Sequence, residues 1–286
     1  MNNRNQRRAI RLLSLNCNSL FKLSKPNSRK HLIRYIRLKQ PTFVTLQEVD
    51  NSLNPLDHFS ALHKQFCSSQ SFWNQYCGIV SLDNQFHLEQ IPLPEDSRCI
   101  LTRVSHVNQE VSPFFILVLY APSSSPRERI SFFDSLLDFV QFSPYSDQSC
   151  IERLIIAGDF NYDASNIALR SSSSRCGLRQ WNHFLRCHFS NVMSDLHQPN
   201  APTFRRSDTT SSTIDFIFLS SSLSLSFANA VIEYINREWT DHALLHVEPH
   251  LETKTSNDPG IWRANPIFLQ KEDFCNQLHS RLSSYY

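Results

Sequence analysis

"LIIAGDFNYD", residues 154–163, runs a buried-looking apolar strand straight into Asp159 and Asn161, two residues apart with Phe160 between them. Strand side chains alternate between faces, so residues two apart point the same way. On that rule Asp159 and Asn161 converge on one point while Phe160 anchors the opposite face. Gly, Asp and Asn also favour turns and Asx motifs wherever a strand ends, so the four letters GDFN fit a plain turn equally well. The rest of the chain has to decide between the two.

Other apolar segments finish the same way. "IRLLSLN" (10–16) leads into Asn16-Cys17-Asn18, again two apart, and "TFVTLQE" (42–48) ends in Gln47-Glu48. "FFILVLYAP" carries Tyr120, "STIDFIF" carries Asp215, and "TDHALL" places Asp241 and His242 just before an apolar run. Each residue has an ordinary structural explanation: a turn, a solvated acid, a core tyrosine, a cap, a satisfied core histidine. Together they make one reaction. Glu48 is the kind of oxygen ligand a hard magnesium ion takes. Metal and His242 offset charge on a phosphate in the transition state, and Asp159 orients or deprotonates the attacking water. Asparagines hold phosphate oxygens without adding charge, and Asp215 fixes the tautomer and tilt of His242.

The pattern between these points alternates strands with helices. A helix is expected from about Ser28, with Leu32, Tyr35 and Ile36 on one face, and an amphipathic segment over 54–66. "CGIVSL", "FHLEQIPL", "RCILTRVSHV", "FANAVIEYI" and "HALLHVEP" read as further strands. "SSSPRERISFFDSLLDFV" opens a helix with Ser125 as N-cap, Pro126 at the first helical position and Glu128 closing a capping box. "LRQWNHFLRCHF" is another helix, and the serine-rich stretches 171–174 and 220–226 read as loops. Many strands joined without helices between them suggest two packed mixed sheets covered by helices. The catalytic domain, residues 1–250, ends where "ETKTSNDPG" turns linker-like; residues 251–286 form a linker and helical tail.

Composition narrows the class. Four glycines in 286 residues leave no glycine-rich nucleotide loop. The longest apolar run, Phe114 to Ala121, is far short of the roughly 20 residues of a membrane helix, and no signal peptide is expected. Eight cysteines without a CxxC pair argue against a zinc ribbon and for reduced core thiols in a soluble intracellular protein. Net charge is only +2, yet eleven Lys and Arg precede the first acid, Glu48. That end either faces a polyanion or is a solvated helix face with a frayed terminus.

The ordered set "LSLNCNSL", "TLQEV", "LYAPSSSPRERISFFDSL", "IIAGDFN", "STIDFIF" and "TDHALL" resembles the endonuclease/exonuclease/phosphatase superfamily over about residues 10–248. The resemblance implies the DNase I-like fold, a four-layered α/β sandwich. It implies metal-site roles for Asn16, Glu48 and Asp241, with Mg2+ as cofactor and Mn2+ as a substitute. It makes Tyr120 a phosphate-contacting tyrosine, Asp159 and Asn161 the water-orienting and phosphate-binding pair, Asp215 the partner of the histidine, and His242 the catalytic histidine. Asn18, Thr203, Arg205 and Arg206 fall at substrate-binding positions, the two arginines on a segment, "TFRRSDTTSSTIDF" (203–216), that reads as an exposed hairpin tip.

Within that superfamily, Asn16-x-Asn18 and the tail "GIWRANPIFLQKEDF" resemble the endonuclease domains of non-LTR retrotransposons. The implied activity is a magnesium-dependent nick in double-stranded DNA, made in the nucleus, whose 3′ hydroxyl primes a reverse transcriptase domain of a longer polyprotein. An apurinic-site or repair endonuclease is the alternative enzyme, and an inositol or lipid phosphatase a further one without an evident membrane segment. A decayed copy that only binds nucleic acid is the non-enzymatic alternative. Ser19 stands where a glycine is usual and Thr213 where a basic residue is common.

Overall fold

A computed structural model describes residues 7–20, 26–49, 55–93, 97–142, 148–164, 176–194, 201–207, 209–224, 227–253 and 271–283. The serine stretch 171–174 and most of the tail motif lie outside them. In chain order the first elements are β1 (Arg7–Ala9), β2 (Leu12–Asn16), α1 (Pro26–Leu38), β3 (Phe43–Gln47), α2 (Pro55–Phe66), β4 (Gln70–Trp73) and β5 (Cys77–Ser81). There follow β6 (Phe86–Ile91), β7 (Cys99–His106), β8 (Phe114–Tyr120), α3 (Pro126–Phe142), α4 (Gln148–Ile151), β9 (Leu154–Asp159), α5 (Cys176–His188) and β10 (Phe189–Asn191). The chain continues through β11 (Phe204–Arg205), β12 (Ser211–Ser212), β13 (Asp215–Ser220), α6 (Ser221–Ser224), β14 (Phe227–Glu233), β15 (Leu244–Glu252) and α7 (Glu272–Ser283).

The strands form a seven-stranded sheet in the order β1-β15-β2-β3-β5-β4, with β14 also on β15, and a six-stranded sheet β10-β13-β9-β8-β7-β6. The two share a plan: one central parallel pair, β2/β3 or β8/β9, flanked by antiparallel neighbours. Both sheets are therefore mixed, and each central pair sends its two C-terminal ends the same way.

Alternation sorts the side chains into layers. Leu12, Phe43, Ile79, Ile116, Val118, Ile155, Ala157, Ile217, Leu245 and Val247 fill the space between the sheets. Leu13, Leu15, Val44 and Leu46 face outward onto Leu32, Ile33 and Ile36 of α1 and Leu62 and Phe66 of α2. Leu117, Leu119, Ile156 and Phe216 face outward onto Phe133 and Leu137 of α3 and Trp181 and Leu185 of α5. Helices, sheet, sheet, helices: this is the four-layered sandwich expected.

The space between the sheets changes chemistry along each strand. Leu12 is followed on its face by Ser14 and Asn16, Phe43 by Thr45 and Gln47, and Ile155 by Ala157 and Asp159, all of them buried. At this end the layer is held by hydrogen bonds, among them Gln47 Nε2 to Ser14 Oγ at 3.3 Å. Gly158 meets a separate demand: its φ is +154°, and a Cβ there would lie 1.9 Å from the Leu119 carbonyl oxygen. Any side chain would push β8 and β9 apart just where both deliver site residues.

Three details depart from expectation. Ser125 caps α3 through its hydroxyl, 3.2 Å from the Arg127 N–H, but the Glu128 carboxylate accepts from the Ser124 hydroxyl at 2.8 Å, so the box closes on the neighbouring serine. The serine run 220–226 is not all loop: Ser220 ends β13 and residues 221–224 form one helical turn with Leu223 buried. The N-terminus forms a strand, Arg7–Ala9 pairing with His250–Glu252, so β15 runs past residue 250. The chain separates into a unit Met1–Lys254 and a unit Thr255–Tyr286, the second carrying α7. No helix among the described residues is long and apolar enough to cross a membrane.

Candidate active site

The two D/N-x-N sequences fold alike. β2 stops at Asn16, whose Oδ1 accepts the Asn18 N–H at 2.9 Å; β9 stops at Asp159, whose Oδ1 accepts the Asn161 N–H at 2.8 Å. Both are Asx turns, and Asn18 (φ 45°), Ser19 (φ 65°) and Asn161 (φ 52°) occupy the left-handed region. Strand alternation therefore stops at Asp159 rather than continuing to Asn161: Phe160 does anchor the outer face, but Asn161 is carried round by the turn. Its Nδ2 donates to the Ala121 carbonyl at 2.7 Å, tying it to the end of β8. The turn and the functional readings of GDFN describe the same atoms.

Across the gap between the sheets, Asn16 Nδ2 donates to Asp159 Oδ2 at 2.9 Å. Asn16 is 0% exposed and uses both ends of its amide on this framework, so it holds Asp159, while its backbone pairs with Gln47, the residue before Glu48. Next to Asp159, in register on β13, lies Asp215. Its carboxylate takes His242 Nδ1 at 2.9 and 3.1 Å. Thr203 secures the aspartate from behind, its buried hydroxyl oxygen accepting the N–H groups of Ile214 (3.0 Å) and Asp215 (2.9 Å). Thr240 secures the histidine: its hydroxyl oxygen accepts the His242 N–H at 3.1 Å while donating to the Asn16 carbonyl at 2.8 Å. Ligating atoms of Asp159, Asp215 and His242 lie within 4.8 Å of one another.

That crowding sets the charges. Burial pushes Asp159 up to about 8, and the nearby Asp215 charge adds to the rise while His242 opposes it. Burial pulls His242 down, but the charge and hydrogen bond of Asp215, helped by Asp159, outweigh it and hold the imidazole at about 9. A protonated His242 paired with Asp215 is a compensated unit and a poor metal ligand, since ligation needs neutral imidazole.

The other pole is all oxygen. Tyr120 donates to Glu48 Oε1 at 2.5 Å, and burial together with that carboxylate drives the phenol's pKa upward, so the hydroxyl stays protonated. Among the described residues, hydrogen bonding engages one Glu48 carboxylate oxygen. Backbone bonds from Ser19 N to Glu48 O (3.0 Å) and Cys17 N to Gln47 O (2.9 Å) sew the Asn16–Asn18 turn to Glu48. Asn18 Nδ2 donates to Asp241 Oδ1 at 2.8 Å, bringing the last of the expected metal-site acids onto the same turn. Carboxylate and amide oxygens without sulfur or neutral nitrogen suit a hard divalent ion such as Mg2+.

The residues flanking this pole were not anticipated. The Arg98 guanidinium carbon lies 4.2 Å from the Tyr76 ring centroid and 5.2 Å from that of Tyr120. Asn74 shapes the turn that presents Tyr76, accepting from Tyr76 N (3.1 Å) and Cys77 N (2.6 Å) and donating to the Cys99 carbonyl (2.8 Å). The Phe204 ring sits 4.8 Å from the His242 ring. None of these contacts is periodic in sequence. Of the two arginines of the hairpin β11–β12, Arg205 is half-buried beside Asp241, whereas Arg206 is exposed at the turn.

Comparison with known proteins accords with this geometry. Solved structures of the same fold include the endonuclease domain of TRAS1, a telomere-specific non-LTR retrotransposon (TM-score 0.59, 16% identity, covering 86% of this chain and 100% of that one). An AP endonuclease from Archaeoglobus fulgidus gives 0.59 at 16% identity, covering 83% and 98%, and a humanized D. rerio TDP2 gives 0.61 at 16%, covering 84% and 98%. At such identity these establish the shared fold. No curated protein matches in sequence. Residues 13–242 match the endonuclease/exonuclease/phosphatase family, a span that contains every site residue described above. With that match over most of its length, and with the buried acid–histidine pole facing the oxygen-ligand pole, the chain belongs to the endonuclease/exonuclease/phosphatase family.

Proposed function

We propose that this chain is a divalent-metal-dependent DNA endonuclease of the non-LTR retrotransposon type, which nicks double-stranded DNA and leaves a 3′ hydroxyl for target-primed reverse transcription. The observation that carries the chemistry is the pair of poles on one rim. Asp159, held by Asn16 and Asn161, lies beside a His242–Asp215 pair, and Glu48 with Tyr120 stands at the linked end of β3 and β8. Asp159 takes a proton from the attacking water as its oxygen bonds to phosphorus. The P–O3′ bond breaks, the 3′ oxygen leaves to be protonated, and a 5′ phosphate remains. His242, kept as imidazolium by Asp215, offsets the negative charge that grows on the phosphate oxygens. Asn18 and Asn161 orient those oxygens. Glu48, Asn16 and Asp241 would hold Mg2+ or Mn2+, which would supply Lewis-acid charge to the same phosphate.

The retrotransposon assignment rests on Asn16-x-Asn18 and on the tail beginning at Gly260, with the TRAS1 domain among the structural relatives. It carries with it action in the nucleus and a reverse transcriptase domain as covalent partner. The apurinic-site reading draws on the AP endonucleases among the same relatives. The separating experiment presents supercoiled plasmid, an abasic duplex and an inositol polyphosphate, with and without Mg2+, and extends the products with a polymerase. Nicked plasmid whose ends prime synthesis is expected. Cleavage confined to the abasic duplex would assign a repair enzyme, phosphate release from the inositol compound a phosphatase, and inertness towards all three a binding protein.

A further inference from the structure

We infer that Tyr234, at the end of β14, is a positioning residue that holds the Arg205 guanidinium ready for the phosphate next to the scissile one; this rests on the nuclease reading above. The backbone at 203–205 runs antiparallel beside 241–243: Phe204 bridges to His242, Arg205 N donates to the Asp241 carbonyl at 2.9 Å, and Ala243 N donates to the Thr203 carbonyl at 2.7 Å. The alternation that lays Phe204 on the His242 ring sends the Arg205 side chain to the other face. There the guanidinium carbon stacks 3.5 Å from the Tyr234 ring centroid. The Tyr234 hydroxyl donates to the Pro202 carbonyl at 3.0 Å, so the ring is fastened to the entry of the same hairpin.

Tyr234 is 46% exposed, one of few large aromatic or aliphatic side chains that the core does not take in. Among the described residues the partner of the Arg205 guanidinium is the Tyr234 ring face. A cation stacked in this way still has its in-plane N–H groups to offer, and these suit phosphate oxygens. Stacking also removes rotamer freedom before the ligand arrives, which lowers the cost of binding. Arg205 lies across from Asp241, one residue from His242, where antiparallel partners sit about 5 Å apart. An arginine rooted one residue from His242 lies beside the site, and its long side chain is of a length to reach a phosphate flanking the one His242 contacts. The pair thus favours a polynucleotide, which has a neighbouring phosphate, over an isolated phosphoester, which has none.

Steady-state nicking of a short duplex with one mapped site tests this in the full chain. Tyr234→Leu and Arg205→Gln are each expected to raise KM about tenfold, with kcat changed less than about twofold, and to reduce the slope of log(kcat/KM) against log salt by about one. The double variant is expected to be no worse than either single one, because the two act as one device. Tyr234→Trp, which retains a ring face, is expected to restore the KM lost in Tyr234→Leu. Effects that multiply, a loss confined to kcat, or no change in KM would overturn the inference. Arg205→Gln alters only a surface side chain and keeps the test valid if Tyr234→Leu misfolds. A wild-type chain that cuts no DNA with any divalent metal removes the nuclease reading; one that cuts while both variants match it removes only the role of Tyr234.

Discussion

Replacing Asp215 by Asn tests the charge arrangement of the site with almost no change of shape. Asp215 sits 2.9 Å from His242 Nδ1, with both side chains about 5% exposed or less. It is the main reason the histidine stands at about 9 rather than near its ordinary 6.5. At pH 7.5 the imidazolium form therefore dominates. Without the Asp215 charge, burial loses its largest counterweight and the ring's pKa falls, so the neutral form gains at pH 7.5. Loss of the cation costs about tenfold in rate, and loss of its fixed tautomer adds to that, for a total of about 10²–10³. Asp215 also raises Asp159, so the acid limb set by Asp159 and the alkaline limb set by His242 should both move to lower pH. Plasmid nicking is measured from pH 5 to 10 for both proteins, with an NMR titration of the histidine alongside. Partial recovery of Asp215→Asn near pH 6 is expected; profiles that superimpose after scaling would refute the reasoning.

Four further outcomes follow from the same geometry. Asp159→Asn should abolish nicking while stabilising the metal-free fold. With its folded value raised to about 8, Asp159 contributes stability below its ordinary acid range and loses it as pH rises through about 8, so the melting-temperature gap between variant and wild type should widen from pH 5 to 9. Ser19→Gly should raise the melting temperature by about 2–4 °C, about 1 kcal/mol, by relieving a side chain at φ 65°; an unchanged value would show the turn carries no strain. Chelator, or Glu48→Gln at limiting Mg2+, should suppress nicking, with higher metal partly rescuing the variant; full activity in excess chelator would exclude the metal role. Truncation after Lys254 should leave an active nuclease. Truncation after His250 should lower its stability, because Leu251 (1% exposed) and the Arg7–Glu252 pairing are lost, at about 2 kcal/mol for the leucine alone.

Much of the fold was legible because its signals are local. Apolar runs such as Leu154–Ala157 and Phe114–Leu119 are long enough to be strands, and Ser125-Pro126 marks a helix start within four residues. The polar site residues were legible for the same reason: Asn16, Glu48, Tyr120 and Asp159 stand where an apolar run ends, and Asp215 and His242 where one begins. β1 and β4 escaped notice because "RRA" and "QSFW" have no period of their own and exist only by pairing with β15 and β5. The path of Asn161 was misjudged because alternation holds only while the strand lasts, and the Asx bond from Asp159 ends it one residue sooner.

What residues 154–163 could not contain was their company. Asn16 reaches Asp159 across 143 positions, His242 reaches Asp215 across 27, and Arg98 reaches the Tyr76 and Tyr120 rings from the start of another strand. By itself the sequence determined which residues are chemically able to act and that each lies at or next to one end of a strand. Tertiary structure decided which of them share a charge, because burying Asp159 and His242 beside Asp215, all within 4.8 Å of one another, makes the ionisation of Asp159 and of His242 depend on their neighbours.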